Sequence, residues 1–363
     1  MTETPASTRL SSWTDGFAKR RGRRYWWSAA GLIVAVPALS WVLWRVDPGR
    51  LVRVIADADV AFLLLLPLTI AAEQLIRAWK WRQLLFSIRP IKTLRLFAAI
   101  MAGYFATMIV PLGISPLVRS WLVARRESLT VAAVLATTAI DRMVDGVIFS
   151  GFVAVALVYA TAPDPEGTIH LGLMVAGGGS LALFALLLAL LAGFKSGITR
   201  EGNRVMKLVD YLPARMAEPV KRFLRAFATG IQWPRSPVRG AGILLASVAM
   251  KISALTHFLW AGLAFGVALR PEGYLFLMVF VGFFHILVHF MRIPGGGLLG
   301  AIFALDLLGV PQEQALAMAL MVQAASMLTV TAIGAVALWR GGVSLDDPRY
   351  LNDVKAATYT KEH

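Results

Sequence analysis

Apolar blocks of about 20 residues, separated by short polar stretches, restrict the fold of this chain more than any other feature. A helix rises 1.5 Å per residue, so each block matches the ~30 Å hydrocarbon core of a bilayer. Composition agrees, with 58% hydrophobic and 16% charged residues, where a soluble domain lies nearer half and a quarter. The expected fold class is an all-α polytopic membrane protein, folded as one membrane unit within 363 residues.

The formal net charge is +15. In a soluble chain that excess would point to nucleic acid. Here the basic residues gather in a few loops, as the positive-inside rule describes, so no nucleic-acid partner is expected. The absence of cysteine excludes disulfides, iron–sulfur clusters and thiolate zinc sites.

Residues 1–24 read as a basic cytoplasmic tail, polar through Ser12 and rich in charge at Lys19, Arg20, Arg21, Arg23 and Arg24. A first span at 25–46 comes next, too long for a signal-peptide core, with Trp26, Trp27, Trp41 and Trp44 at its ends. Asp47-Pro48-Gly49 ends it outside. A second span at 60–81 returns inward. Arg77, Trp79, Lys80, Trp81 and Arg82, then Arg89, Lys92 and Arg95, read as its cytoplasmic rim.

The apolar run 94–110 meets Pro111, Gly113 and Pro116, and a short piece then reaches Arg125-Arg126. Basic ends around a broken middle describe a re-entrant hairpin entered from the cytoplasm. The third span, 129–159, runs outward and the fourth, 170–193, runs back. Residues 194–239 form a basic cytoplasmic loop in which Val220, Phe223, Leu224, Phe227 and Ile231 recur at helical spacing. That helix lies on the inner leaflet or packs on the bundle's cytoplasmic face.

A fifth span, 240–268, leads to a second broken segment, 274–308, interrupted at Pro294, Gly295, Gly296 and Gly297. The last span is 314–339, and the tail 341–363 is placed in the cytoplasm. Span, span, hairpin, span thus occurs twice with opposite sense. Six transmembrane helices and two re-entrant hairpins form an inverted repeat, with halves 25–160 and 170–340. Transporters use this plan, with broken helices meeting near the midplane.

Ionisable residues at membrane depth cost roughly 2.5–3.5 kcal/mol each on insertion scales and mark interiors or wet cavities. Asp141, Arg142 and Asp145 fall deep in the third span. Asp141 and Asp145 share a face, and Arg142 can pair with Asp145. Arg119 and Arg292 flank the two breaks. Their planar forks suit a lipid phosphate, the natural membrane anion, or alternatively pair with Asp141, Asp145 or Asp306. Glu73 and Arg77 form an i,i+4 pair, and Lys251 and His257 are expected to face the interior of the fifth span.

His285, His289 and Asp306 are also expected among the buried charges; the two histidines are i,i+4, but no acidic partner accompanies them, so no metal is expected. No nucleophile elbow, Walker loop, Rossmann fingerprint or kinase set occurs, so neither enzyme nor cofactor is expected.

The run Arg77-Ala-Trp-Lys-Trp-Arg-Gln-Leu-Leu85, then Gly103-Tyr-Phe through Pro111 to Arg119, then Arg125-Arg126 and Asp141-Arg-Met-Val-Asp145, resembles the lysylphosphatidylglycerol synthase transmembrane (flippase-like) family. Pro294-Gly-Gly and Leu-Gly-Val310 resemble its second hairpin. The resemblance spans roughly 25–340 and implies handling of phospholipids or polyprenyl-linked lipids. It implies no lysyl transfer, because no aminoacyl-transferase segment is expected after 340. The chain departs from the family pattern in three places. Ile114-Ser115-Pro116 stands for a Gly-Glu, Gly300-Ala301-Ile302 carries no Glu, and Asp141-Arg142 replaces Glu-Arg.

Two functions are consistent with these features. One is a flippase or transporter of anionic or phosphate-bearing lipid in the inner (cytoplasmic) membrane. The other is a non-transporting partner of a lipid-modifying or glycosyltransferase enzyme, docked through 194–239.

Overall fold

The computed structural model describes residues 46–109, 115–159, 167–199, 204–211, 213–291 and 296–340, with 40 and 44 besides. Most of the expected first span, the tail 341–363 and both breaks lie outside the described residues. Pro111, Gly113, Arg292, Pro294 and Gly295 fall there. For Gly296 and His289 only the helical backbone is described.

All regular structure among the described residues is helical. The elements are α1 (Pro48–Ala56), α2 (Val60–Leu85), α3 (Thr93–Ile109), α4 (Ser115–Glu127), α5 (Val131–Tyr159) and α6 (Thr168–Thr199). They continue with α7 (Arg204–Asp210), α8 (Ala214–Gly230), α9 (Pro237–Ala264), α10 (Pro271–Met291), α11 (Gly296–Leu307) and α12 (Gln312–Arg340). Five of these are long and apolar enough to cross a membrane: α2, α5, α6, α9 and α12. Three shorter apolar helices, α3, α10 and α11, flank the two breaks together with the polar α4.

Helix α1 departs from the expected turn at Asp47-Pro48-Gly49, and the reason is local. The Asp47 carboxylate caps the helix, accepting from the Gly49 and Arg50 amides at 2.8 and 3.3 Å, and Pro48 supplies a helical φ at the first position.

The axis of the bundle is an antiparallel pair, α2 against α9. The Asp59 amide donates to the Ala264 carbonyl at 2.9 Å, Ser253 donates to Thr69 O at 3.4 Å, and Lys80 reaches Ser247 at 3.3 Å. One end of this pair is therefore the Asp59/Ala264 end. The other, the basic end, carries the Arg-rich C-terminus of α2.

Helices α3 and α4 form an antiparallel hairpin. Arg95 pairs with Glu127 at 3.0 Å, and Gly103 lies against Ser115. Helices α10 and α11 form another, with Phe280 beside Phe303 and Phe284 beside Gly300. The first hairpin opens at the basic end, after α2. The second opens at the Asp59/Ala264 end, after α9.

Two apolar cores result. Phe149, Val153, Phe258, Phe276 and Leu305 form one near the second hairpin. Trp81, Leu84, Leu96, Val134 and Ile243 form the other around the first.

The loop 194–239 is more helical than expected, since α6 continues to Thr199 and is succeeded by α7 and α8. Helix α8 packs on α5 and α6, with Ala217 and Ala228 buried and Ile231 buried just beyond its end. A Cβ at Gly230 would collide with the Ala133 carbonyl, so the two backbones touch there. The other face of α8 leaves Phe223 exposed. Of the two expected placements, the bundle-packed one describes the inner face.

Candidate functional site

The stripe Ile70, Gln74, Arg77, Ala78, Trp81, Leu84 and Leu85 is the buried face of α2. Its helical spacing carries Arg77 and Lys80 inward with the apolar residues. Facing them on α5 are Asp141 and Asp145, one turn apart. Asp141 falls ~15 Å beyond the start of that helix at 1.5 Å per residue. Helix α4 contributes Arg119, and α9 contributes Ser247 and His257.

These side chains form one alternating chain of charge. The Arg119 Nη2 meets Asp141 Oδ2 at 3.3 Å. The other Asp141 oxygen lies 2.7 Å from Lys80 Nζ, which also reaches Asp145 Oδ1 at 2.5 Å. The second Asp145 oxygen accepts from Arg77 Nη1 at 3.3 Å. Arg77 Nη2 donates to Glu73 at 3.1 Å, and Glu73 faces His257 at 3.9 Å. Lys80, Arg119 and Asp141 are 0% exposed, and Asp145 and Arg77 are also buried. Each aspartate thus divides its two oxygens between Lys80 and an arginine. Three carboxylates face three cations, which is how a buried network keeps its net charge near zero.

The network is packed as well as paired. Trp81 donates to Thr137 Oγ1 at 3.0 Å, and its ring lies 4.8 Å from the Arg119 guanidinium carbon. At the Arg119 end the pairing stops short. Arg119 Nε and Nη1, although buried, have no hydrogen-bond partner among the described residues, and neither has Ser115 Oγ. Ser115 and Arg119 are i,i+4 on α4, so both lie on one face of its N-terminal part.

Several expected site residues fall elsewhere. Arg142 does not pair with Asp145; it is exposed and reaches the Tyr104 hydroxyl at 3.4 Å, because Asp145 turns the other way to Lys80. Lys251 is half-buried, its ammonium 5.2 Å from the centre of the Phe149 ring. Asp306, expected among the buried charges, is exposed. Helix α11 buries Ala301, Ile302, Ala304 and Leu305, which leaves Asp306 on the outer side. His285 is likewise exposed rather than buried, lying beside Gly297. Pro116 comes after Ser115 in the first turn of α4. No group of three potential metal ligands occurs among the described residues.

Lys80 is the residue that sequence reasoning misses. Its neighbours Arg77, Trp79 and Arg82 make it look like part of an interfacial rim. The signal that finds it is the register of α2, which continues to Leu85 and places position 80 beside 77, 81 and 84 on the inner side.

The model of one protein family, described as lysylphosphatidylglycerol synthase TM region, matches residues 28–334. The chain belongs to that family. Together with its five long apolar helices, membership makes it a multi-pass membrane protein. The network that binds α2, α4 and α5 lies well inside the family region. No curated protein and no solved structure matches the chain.

Proposed function

We propose that this protein is a lipid flippase, which receives a phosphate-bearing lipid headgroup at Arg119 and passes it between leaflets. The observation that carries this reading is the open end of the charge network. A buried guanidinium with two donors unfilled among the described residues, beside a hydroxyl likewise unfilled there, is costly unless an acceptor completes it, and an anion is the acceptor that suits it best. Both groups sit near the start of α4, where the helix dipole also favours negative charge. A lipid phosphate supplies acceptor oxygens in the geometry that arginine matches best.

Three further features support the reading. The family is named for a lipid-synthesising enzyme's membrane region. The two helix pairs open toward opposite ends of the α2/α9 axis, which is consistent with an inverted repeat of six spans and two re-entrant hairpins. The basic end, with Arg89, Arg95, Arg125 and Arg126, is oriented to the cytoplasm by the positive-inside rule, in an inner membrane with both termini cytoplasmic.

Movement of fluorescent anionic lipid in proteoliposomes tests this. Wild-type protein is expected to expose inner-leaflet lipid to an external quencher faster than protein-free vesicles. Arg119→Ala is expected to remove most of that gain. Equal rates for the two proteins would refute the site.

A second reading has one observation in its favour. Helix α8 keeps Met216 and Phe223 exposed among Arg222 and Arg225, a face suited to a partner protein or the inner leaflet. Co-purification of one stoichiometric enzyme, with no lipid movement by the pure chain, would favour it.

A further inference from the structure

Helices α3, α4 and α5 meet around Gly103-Tyr104, Ser115 to Arg119, and Asp141-Arg142. A Cβ at Gly103 would lie 3.0 Å from both oxygens of Ser115 and 3.3 Å from Arg119 Cβ, so the α3 backbone sits directly against the open end of the charge network. The next residue, Tyr104, is half-buried, and its hydroxyl accepts from Arg142 Nη2 at 3.4 Å. Successive side chains on a helix point about 100° apart. Asp141 therefore turns inward at 0% exposure, while Arg142 stays exposed and reaches across to α3.

This brings a second guanidinium to the place where Arg119 has unfilled donors. Arg119 and Arg142 are close enough to repel one another, and both act, with Arg77, on the Tyr104 hydroxyl. The nearby carboxylates are already taken, Asp141 by Lys80 and Arg119, and Asp145 by Lys80 and Arg77. The network itself is balanced in charge, but two further cations flank it. One is Arg142, and the other is Lys251, which faces Asp145 and Glu73 electrostatically. An anion placed between Arg119 and Arg142 relieves their repulsion, and one of charge −2 offsets both flanking cations.

We propose that the headgroup received at Arg119 is a terminal, doubly ionised phosphate, held by Arg119 and Ser115 on one side and by Arg142 on the other. Tyr104 positions Arg142. This inference rests on the flippase reading and names its substrate class, a lipid that ends in a free phosphate. Such a phosphate carries about −1.5 to −2 charge at pH 7 and three strong acceptor oxygens, enough for both arginines at once. A phosphodiester has a single charge, and its ester oxygens accept weakly, so it serves one arginine well and leaves the other.

Thermal unfolding of the purified full chain in detergent at about pH 8, above the second phosphate ionisation near pH 6, tests the proposal. The probes are short-chain phosphatidic acid, phosphatidylglycerol, phosphatidylcholine and inorganic phosphate. A ligand that binds only the folded form raises the melting temperature. Phosphatidic acid is expected to do so with a midpoint about tenfold below that of phosphatidylglycerol, the gain of one charge-assisted contact. Arg142→Gln is expected to remove that difference and leave the phosphatidylglycerol midpoint within about twofold of wild type. Arg142→Lys, which keeps the charge, is expected to retain part of it, and Tyr104→Phe to reduce it. Equal midpoints for the two anionic lipids in wild type, with both responses lost in Arg119→Ala, would overturn the doubly charged ligand and leave Arg119 as the headgroup site. Responses unchanged in Arg119→Ala would refute the headgroup reading and this inference with it. Ser115→Ala, which leaves every ion pair in place, reads the same arm should Arg119→Ala fail to fold. A tenfold preference that survives in Arg142→Gln would overturn the role of Arg142. Inorganic phosphate as effective as phosphatidic acid would overturn the lipid while keeping the doubly charged anion.

Discussion

Lys80 is the keystone of the charge network, and its replacement by methionine is the sharpest test of how that network is held. Methionine is close in length and apolar, so the change removes the charge with little loss of volume. Lys80 is 0% exposed and contacts both aspartates, at 2.7 and 2.5 Å. Without it, Asp141 keeps only Arg119 and Asp145 keeps only Arg77, each at 3.3 Å. Removing one partner of a buried pair costs about 3–5 kcal/mol, because the other charge is left uncompensated. At about 2 °C per kcal/mol for a chain of this size, that lowers the melting temperature by ~6–10 °C. Melting monitored by size-exclusion chromatography in detergent would read it. The double variant Lys80→Met/Asp145→Asn restores balance, since Arg119–Asp141 and Arg77–Glu73 remain as complete pairs. It is expected to recover at least half of the loss. A single variant that melts with wild type, or a double variant no better than the single, would refute the keystone role.

The same geometry sets three further outcomes. Trp81→Phe removes the 3.0 Å hydrogen bond to Thr137 while keeping a ring beneath Arg119, and should cost about 1 kcal/mol in an unfolding titration. Gly230→Ala pushes a methyl group into the Ala133 carbonyl. It should loosen α8 from α5 at a cost of about 1–3 kcal/mol, read as faster amide exchange over 214–230. Arg142→Ala should leave stability within about 0.5 kcal/mol of wild type, because that side chain is exposed, whereas Asp141→Ala one residue away should destabilise strongly, both read by thermal melting.

Much of the helix pattern is legible in the sequence because hydrophobic run length and membrane thickness are the same physical quantity. The expected spans 129–159 and 314–339 and the structure's α5 and α12 agree within two residues at each end. Asp141, Asp145 and Arg119 are legible for a related reason: a charge inside an apolar run has few places to go. Lys80 escapes because it belongs to a run of basic and aromatic residues that reads equally well as a headgroup rim. Only the register of α2 against α5 separates inward Lys80 from outward Trp79. Asp306 and His285 go the other way. Their depth is legible but their side of the helix is not, since α10 and α11 are apolar almost all round. Helix α1 is hidden by Asp-Pro-Gly, which serves equally as a turn or as a helix start.

The central claim is that the open end of the network at Arg119 and Ser115 receives a lipid phosphate. A cryo-electron microscopy map of the full chain in nanodiscs rich in phosphatidylglycerol tests it most directly. Phosphate density is expected within about 3 Å of Arg119 Nη1 and the Ser115 hydroxyl, the distance of a charge-assisted hydrogen bond. A well-resolved site with those donors filled by protein atoms, and no lipid nearby, would contradict it.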